Sequence, residues 1–301
     1  MNNIVRIGTR NSNLALWQAK KVQKLLLEIN QKSEIIPVKT DGDIDLSSPI
    51  HKMGITGVFT KSLDVALLEN KIDIAIHSMK DVPTSLTNGL IQSAVLKRDS
   101  TLDIILSKNE NKKFKENKSI VTGSLRRKAQ WLSKFPNHNI YPIRGNIETR
   151  IEKFEKSKWD GIIFSKAAID RLSIKKYKTL TLDWMIPAPA QGAIVIINRS
   201  NDKKITKEIK ELNDSKTEIC TQIERDFLKT LEGGCSAPIG ALAEFQGDLI
   251  NFLGGVFSLN GKNKKLISKS FDKKKYKNAG KEMACKLLKL GADRILNEIK
   301  I

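Results

Sequence analysis

Residues 72–83 read Ile-Asp-Ile-Ala-Ile-His-Ser-Met-Lys-Asp-Val-Pro. Four apolar residues in the five positions of Ile72–Ile76 make a short run that reads as a buried strand. The run ends in His77, Ser78, Met79, Lys80 and Asp81, and Pro83 cannot continue a ladder. A buried strand that stops in a mostly polar cluster is the pattern of an open α/β sheet, where ligands bind beyond the carboxyl ends of the strands.

The pattern extends on both sides of this stretch. Ile4–Gly8 reads as a strand, and Ser12 as the cap of a helix with apolar positions at Leu14, Leu16, Val22, Leu25, Leu26 and Ile29. Ile35–Val38 and Ile91–Leu96 read as further strands, and Thr60 as the cap of a helix carrying Leu63, Leu67 and Leu68. His51–Gly57, with two glycines, reads as a flexible loop. The alternation then restarts. Asp103–Leu106, Ser119–Thr122, Ile140–Ile143, Gly161–Phe164 and Ala193–Ile197 read as strands. Helices fall between them: Ser124 to about Phe135, Ile147–Lys156, and one ending near Leu172. Such alternation predicts parallel sheets covered by helices. The last hundred residues differ, with a helix over Thr217–Leu231, a Gly-rich loop at 232–238, strands near 239–245, 249–257 and 264–271, and a helix from Tyr276 to Ile299. They predict a smaller α+β unit.

A chain of 301 residues with 40% hydrophobic content is long enough for two or three domains and is not disordered as a whole. No apolar run reaches the ~18 residues of a membrane span, and no apolar leader follows Met1, so a cytoplasmic protein is expected. Three cysteines without a Cys-x-x-Cys argue against a disulfide framework or a Cys-rich zinc site. No metal site is expected, because His51, His77 and His138 are dispersed; His77, ending a buried strand, reads as a satisfied core histidine. The net charge of +20 favours anionic partners. Most of it is lysine, and the nine lysines of Lys262–Lys281 read as solvated surface. The 11 arginines are more informative, since a guanidinium forks onto a carboxylate as an ammonium cannot.

The residues that follow the strands collect the candidate chemistry. They are Thr9, Arg10 and Ser12; His77, Ser78, Met79, Lys80 and Asp81; Ser124, Arg126 and Arg127; Arg144, Gly145, Asn146 and Arg150; and Ser165 and Lys166. Arginine in a first helical turn opposes the helix dipole, so Arg126 and Arg127 imply an anion that offsets the cost. The nucleotide-binding glycine motifs are absent, as are zinc-finger and RNP signatures, and the 17 aromatics offer few stacking platforms. The ligand implied is small and rich in carboxylates, with no nucleic acid and no membrane as partner. Cys235, in Gly-Gly-Cys-Ser-Ala-Pro (233–238), is either a packed loop thiol or a nucleophile and attachment point. Cys220 and Cys285 read as small apolar residues of helices. Asp81 reads either as an N-cap or ion-pair residue, or as a catalytic carboxylate.

Six ordered blocks carry a family likeness: Ile7–Ala19, Ile72–Pro83, Gly123–Arg127, Arg144–Arg150, Pro187–Ala193 and Leu231–Gly240. Together they resemble the porphobilinogen deaminases, also called hydroxymethylbilane synthases. The resemblance implies two α/β domains like those of periplasmic binding proteins and a smaller α+β domain. Residues 1–98 and 193–214 would form the first domain, 99–192 the inserted second, and 215–301 the third. It implies a monomeric transferase that joins four porphobilinogen units head to tail, releasing ammonia at each, on a dipyrromethane cofactor held by a thioether to Cys235. Asp81 matches the catalytic carboxylate. Lys80, Ser78, Thr122, Ser124, Arg126, Arg127 and Gly145 match cofactor contacts. Arg10, Ser12, Lys52, Phe59, Arg144, Arg150, Arg171 and Gln191 match substrate contacts.

The chain departs from the family pattern at several positions. Gly123 stands where a serine is common, Gly54-Ile-Thr-Gly-Val-Phe59 where Gly-Gly-Lys-Gly-Leu-Phe is common, Ser236-Ala237 for Gln-Val and Pro189-Ala190 for Val-Gly. Two other readings use the same residues: a non-catalytic anion-binding protein of the two-lobed fold, and a nucleic-acid binder drawing on the charge. Asp81 and the Gly-Gly-Cys loop separate the first from an enzyme, since anion capture needs neither.

Overall fold

A computed structural model describes residues 4–39, 60–108, 117–231 and 237–299. These fall into two compact units, one taking 4–39, 60–99 and 192–218, the other 100–108, 117–191, 219–231 and 237–299.

The first unit is built on a five-stranded sheet. Its strands are β1 (Val5–Thr9), β2 (Ser33–Pro37), β3 (Ile74–Ser78), β4 (Leu90–Val95) and β10 (Ile194–Arg199), in the order β2-β1-β3-β10-β4. β1 pairs in parallel with β2 and β3, while β10 runs antiparallel to β3 and β4. The expectation of parallel sheets is therefore corrected: the strand on which the chain returns from the second unit runs against its neighbours. Helix α1 (Asn13–Glu28) buries Ala15, Gln18, Ala19, Val22 and Leu26, a helical stripe, onto Val5, Ile7, Ile74, Ile76, Ile194 and Ile196. Gly8 lies so close to helix α2 (Lys61–Leu68) and to Ile72 that a Cβ there would meet the Ile72 side chain at 2.1 Å. Thr60 precedes α2 but makes no capping bond, contrary to the sequence reading.

The second unit contains two sheets. The first is β7-β6-β8-β5-β9, from β5 (Asp103–Ser107), β6 (Ser119–Val121), β7 (Asn139–Tyr141), β8 (Gly161–Ser165) and β9 (Lys178–Thr181). Again three strands are parallel, and β5 runs against β8 and β9. Strand alternation sends Ile104, Leu106, Ile162 and Phe164 to one face, with Phe154 of helix α4 (Ile147–Glu155). Ile105, Ile120 and Ile163 take the other face, with Trp131 of helix α3 (Leu125–Lys134). Helix α5 (Lys166–Arg171) follows β8. β9 and helix α6 (Lys203–Lys210) of the first unit are short, polar elements absent from the sequence reading.

The second sheet is the antiparallel meander β11 (Ile239–Gln246), β12 (Leu249–Phe257) and β13 (Lys264–Asp272), close to the strands expected. Helix α7 (Ser215–Thr230) packs Ile223 and Phe227 against it, and helix α8 (Ala279–Leu287) packs Met283 and Leu287. The single helix expected from Tyr276 to Ile299 is interrupted. Leu288–Ala292 widens into a π turn with Gly291 at φ 92°, and helix α9 (Asp293–Ile299) follows. Glycine alone adopts that φ without strain, so the break is encoded at one position. All nine lysines of Lys262–Lys281 are exposed.

Candidate active site

In the first unit, β1 delivers Thr9, Arg10 and Ser12. The Thr9 hydroxyl, fully buried, donates to the Ala15 carbonyl at 3.1 Å, which fixes the strand end to the first turn of α1. Ser12 is the N-cap of α1, its Oγ accepting the Ala15 N–H at 3.4 Å as its sequence position predicts. Arg10 is half-buried between them.

β3 delivers the second group. Ser78 Oγ accepts a hydrogen bond from Gln18 Nε2 at 2.7 Å, which ties the strand end to α1. Met79–Asp81 then form one 3-10 turn that buries Met79 and leaves Lys80 and Asp81 half exposed. Asp81 is the last residue of that turn and so is not its N-cap. Among the described residues no hydrogen bond or ion pair engages its carboxylate. The structural alternative for Asp81 thus loses both of its forms.

His77 differs from expectation. It is buried, but its Nε2 has no hydrogen-bond partner, so it is not a satisfied core histidine. Burial, with the Arg10 charge adding, pushes the imidazole down to about 4 and keeps it neutral at physiological pH.

In the second unit, Thr122 Oγ1 accepts the Ser124 N–H at 3.2 Å, and Ser124 Oγ caps α3 by accepting the Arg127 N–H at 3.4 Å. Both arginines of the first turn are buried against Asp103, which is itself fully buried. Arg126 Nη2 donates to one carboxylate oxygen at 2.7 Å, and Arg127 Nε and Nη2 donate to the other at 3.0 and 2.8 Å. Arg126 Nη1 and Arg127 Nη1 donate to the carbonyls of Ile186 and Ile163. Burial lowers Arg126, and Asp103 opposes the shift. The anion that offsets first-turn arginines is therefore an internal carboxylate. Nothing local marks Asp103 in the sequence beyond an acid opening an apolar strand. Gln191, also fully buried, donates from Nε2 to Asp103 at 3.0 Å and to the Thr101 carbonyl at 2.8 Å.

The loop after β7 carries Arg144 and Gly145. Gly145 has φ 114°, and a Cβ there would lie 2.8 Å from Thr149. Its carbonyl accepts from Arg150 Nε at 2.7 Å, and Asn146 caps α4 by accepting the Thr149 N–H at 2.8 Å. Gly123 also has a packing reason: a Cβ would stand 2.6 Å from the Ile143 carbonyl oxygen, so serine has no room there. Arg171 is buried at the C-terminal end of α5, where the dipole favours a cation. Cys220 is buried in α7, but Cys285 is exposed on α8 rather than packed as an apolar residue. Lys52, Phe59 and Cys235 lie outside the described residues.

Comparison with known proteins decides the family. Residues 5–207 match the profile described as porphobilinogen deaminase, dipyromethane cofactor binding domain, and residues 218–289 match that of its C-terminal domain. The chain belongs to the porphobilinogen deaminase family. Porphobilinogen deaminases of Chlorobium phaeobacteroides and Campylobacter fetus are each 40% identical to it, over 98% and 97% of this chain and 97% of theirs. The porphobilinogen deaminase of Chlorobaculum tepidum is 39% identical over 98% of this chain and 97% of its own. An ancestral cationic amino acid solute-binding protein aligns structurally over 69% of this chain and 87% of its own, at 14% identity and a TM-score of 0.45. The donor set fits the dipyrromethane of the family. Arg126, Arg127, Arg144, Arg150 and Arg171 stand on the segments following β6, β7 and β8, the first two paired with the buried Asp103, a cation-rich set for a polycarboxylate. No helix among the described residues is long and apolar enough to cross a membrane.

Proposed function

We propose that this chain is a hydroxymethylbilane synthase of tetrapyrrole biosynthesis. It joins four porphobilinogen units on a dipyrromethane held by Cys235 and releases the linear tetrapyrrole with water. The observation that carries the reading is the Asp81 carboxylate, half exposed at the carboxyl end of β3, uncommitted, and next to Lys80 in the chain. A protein that only captured anions has no use for it.

Each condensation breaks the bond between the aminomethyl carbon of porphobilinogen and its protonated amine, forms a carbon–carbon bond to the terminal ring, and releases ammonia from the aminomethyl carbon and a proton from the ring carbon that is joined. The bound dipyrromethane supplies the terminal ring from which the first joining proceeds. Positive charge develops on pyrrole nitrogen before and after the bond forms. Asp81 faces that charge with a fixed carboxylate and takes the pyrrole N–H as a hydrogen-bond donor, which stabilises the charged species more than the neutral substrate. It also holds the proton that the coupled ring loses. Arg10, Arg144, Arg150 and Arg171 hold the acetate and propionate groups of substrate, and Ser12, Lys52 and Phe59 complete the substrate contacts; Gln191, expected among them, is fully buried with its amide N–H groups given to Asp103 and the Thr101 carbonyl, and braces the cluster instead. Arg126 and Arg127, aligned by Asp103, hold cofactor carboxylates with the N–H groups not spent on that acid, helped by Ser78, Lys80, Thr122, Ser124 and Gly145. The three-domain division at 98/99, 192/193 and 214/215 belongs to the same reading, as does a cytoplasmic monomer. The test is Asp81→Asn, loaded with cofactor and compared with wild type. Turnover falls by roughly 10²–10³ while fold and cofactor content persist; near-normal turnover in the loaded variant overturns Asp81 as the catalytic group.

A further inference from the structure

We propose that Glu224 is a positioning residue for cofactor attachment, an inference that rests on the function proposed above. Glu224 lies on α7, eleven residues before Cys235, and its side chain is fully buried. One carboxylate oxygen accepts the Ala190 N–H at 2.6 Å, and the other accepts the Ala243 N–H of β11 at 2.8 Å. The two elements that flank the cysteine loop in sequence, α7 and β11, are thus joined by one side chain. The same side chain grips the segment 186–191.

That segment is also held by the arginine cluster. Ile186 accepts from Arg126 and Gln130 through its carbonyl and donates its N–H to Gln130 Oε1 at 2.8 Å. Gln191 reaches Asp103. β11 contributes again where Ala241 N–H donates to the Pro187 carbonyl at 3.0 Å, and a Cβ at Gly240 would meet Ile186 at 2.8 Å. Ala190 has φ 62° with no exposure, a left-handed residue with a side chain where the family pattern has glycine. A residue in that conformation persists only if its surroundings fix it, and the Glu224 carboxylate does so at its N–H. Glu224 therefore sets the register between the elements flanking Cys235 and the Asp103–Arg126–Arg127 cluster.

The test follows loading rather than turnover. Cofactor-free wild type and Glu224→Gln are mixed with porphobilinogen, and the mass gain on the Cys235 peptide is timed. Thermal midpoints and amide exchange over 186–191 are read in parallel. An amide side chain can accept one N–H but presents its NH₂ to the other, so Glu224→Gln loads at least tenfold more slowly and the Ala190 and Gln191 amides exchange faster. Adding Ala190→Gly relieves the strained turn and restores the midpoint but leaves loading slow. Wild-type loading by Glu224→Gln, or recovery of midpoint and loading together in the double variant, overturns the proposal. If Glu224→Gln alone does not fold, the double variant carries the test, and wild-type loading in it overturns the proposal equally. A wild type that gains no mass on Cys235 sinks the function proposed above instead.

Discussion

Replacing Asp103 by Asn would leave Arg126 and Arg127 buried side by side with no counter-charge. Breaking a buried pair by removing one partner costs about 3–5 kcal/mol, because the remaining charge has lost its solvation and gained nothing. Asp103→Asn is expected to lower the urea midpoint accordingly; an unchanged midpoint would show that Arg126 and Arg127 do not depend on it. His77 gives a second residue-scale prediction. Its pKa is about 4 in the fold and about 6.5 when unfolded, so the unfolded chain binds more protons between those values. Its contribution to stability is complete above pH 6.5 and is lost as pH falls toward 4, at up to about 1.4 kcal/mol per pH unit. Asp73 is also lowered, its burial outweighed by hydrogen bonds from Arg6 and Arg199, but its own loss comes below its ordinary value of 3.8. Urea midpoints at pH 7, 6 and 5 separate the two, and His77→Leu should flatten this range; an equally steep variant would contradict the assignment. Ser12 and Ser124 as helix starts were legible in the sequence because a cap is set by its own neighbours, although Thr60, read in the same way, makes no capping bond. Asp103 and Glu224 were not, because what gives each its role is a partner far along the chain.

Elements were read well where turns bound them. The meander β11–β13 falls within a residue or two of its expected bounds, its strands of eight and nine residues being separated by short polar or glycine-containing turns. Strand direction was not legible. β5 and β10 are apolar runs like their neighbours, and their antiparallel course follows from where the chain leaves and re-enters the first unit. The break in the C-terminal helix was hidden by an apolar stripe that continues across it. Gly291 at φ 92° makes it testable: Gly291→Ala should cost about 1 kcal/mol as a left-handed alanine, whereas a continuous helix would gain about that much. Unfolding of the alanine variant decides the sign.

For the whole molecule, two five-stranded sheets share one plan: four strands run one way and one, β10 or β5, runs against them, with polar and charged groups where the parallel-paired strands end. The first edge carries the uncommitted Asp81, the second the arginines. Strand ends in open sheets are binding edges whatever the connection, which is why these polar clusters could be picked out of the sequence, whereas Lys52, Phe59 and Cys235 lie outside the described residues. The central claim is that the chain carries a dipyrromethane bound to Cys235. The intact mass of purified, active protein tests it most directly, followed by peptide mapping. Cys285 serves as an internal control, because it is exposed and would react if accessibility alone decided attachment. The account predicts a mass above that of the sequence by one dipyrromethane, an adduct on the Cys235 peptide, and none in Cys235→Ala. Active protein of unmodified mass, or an adduct on Cys220 or Cys285, would contradict it.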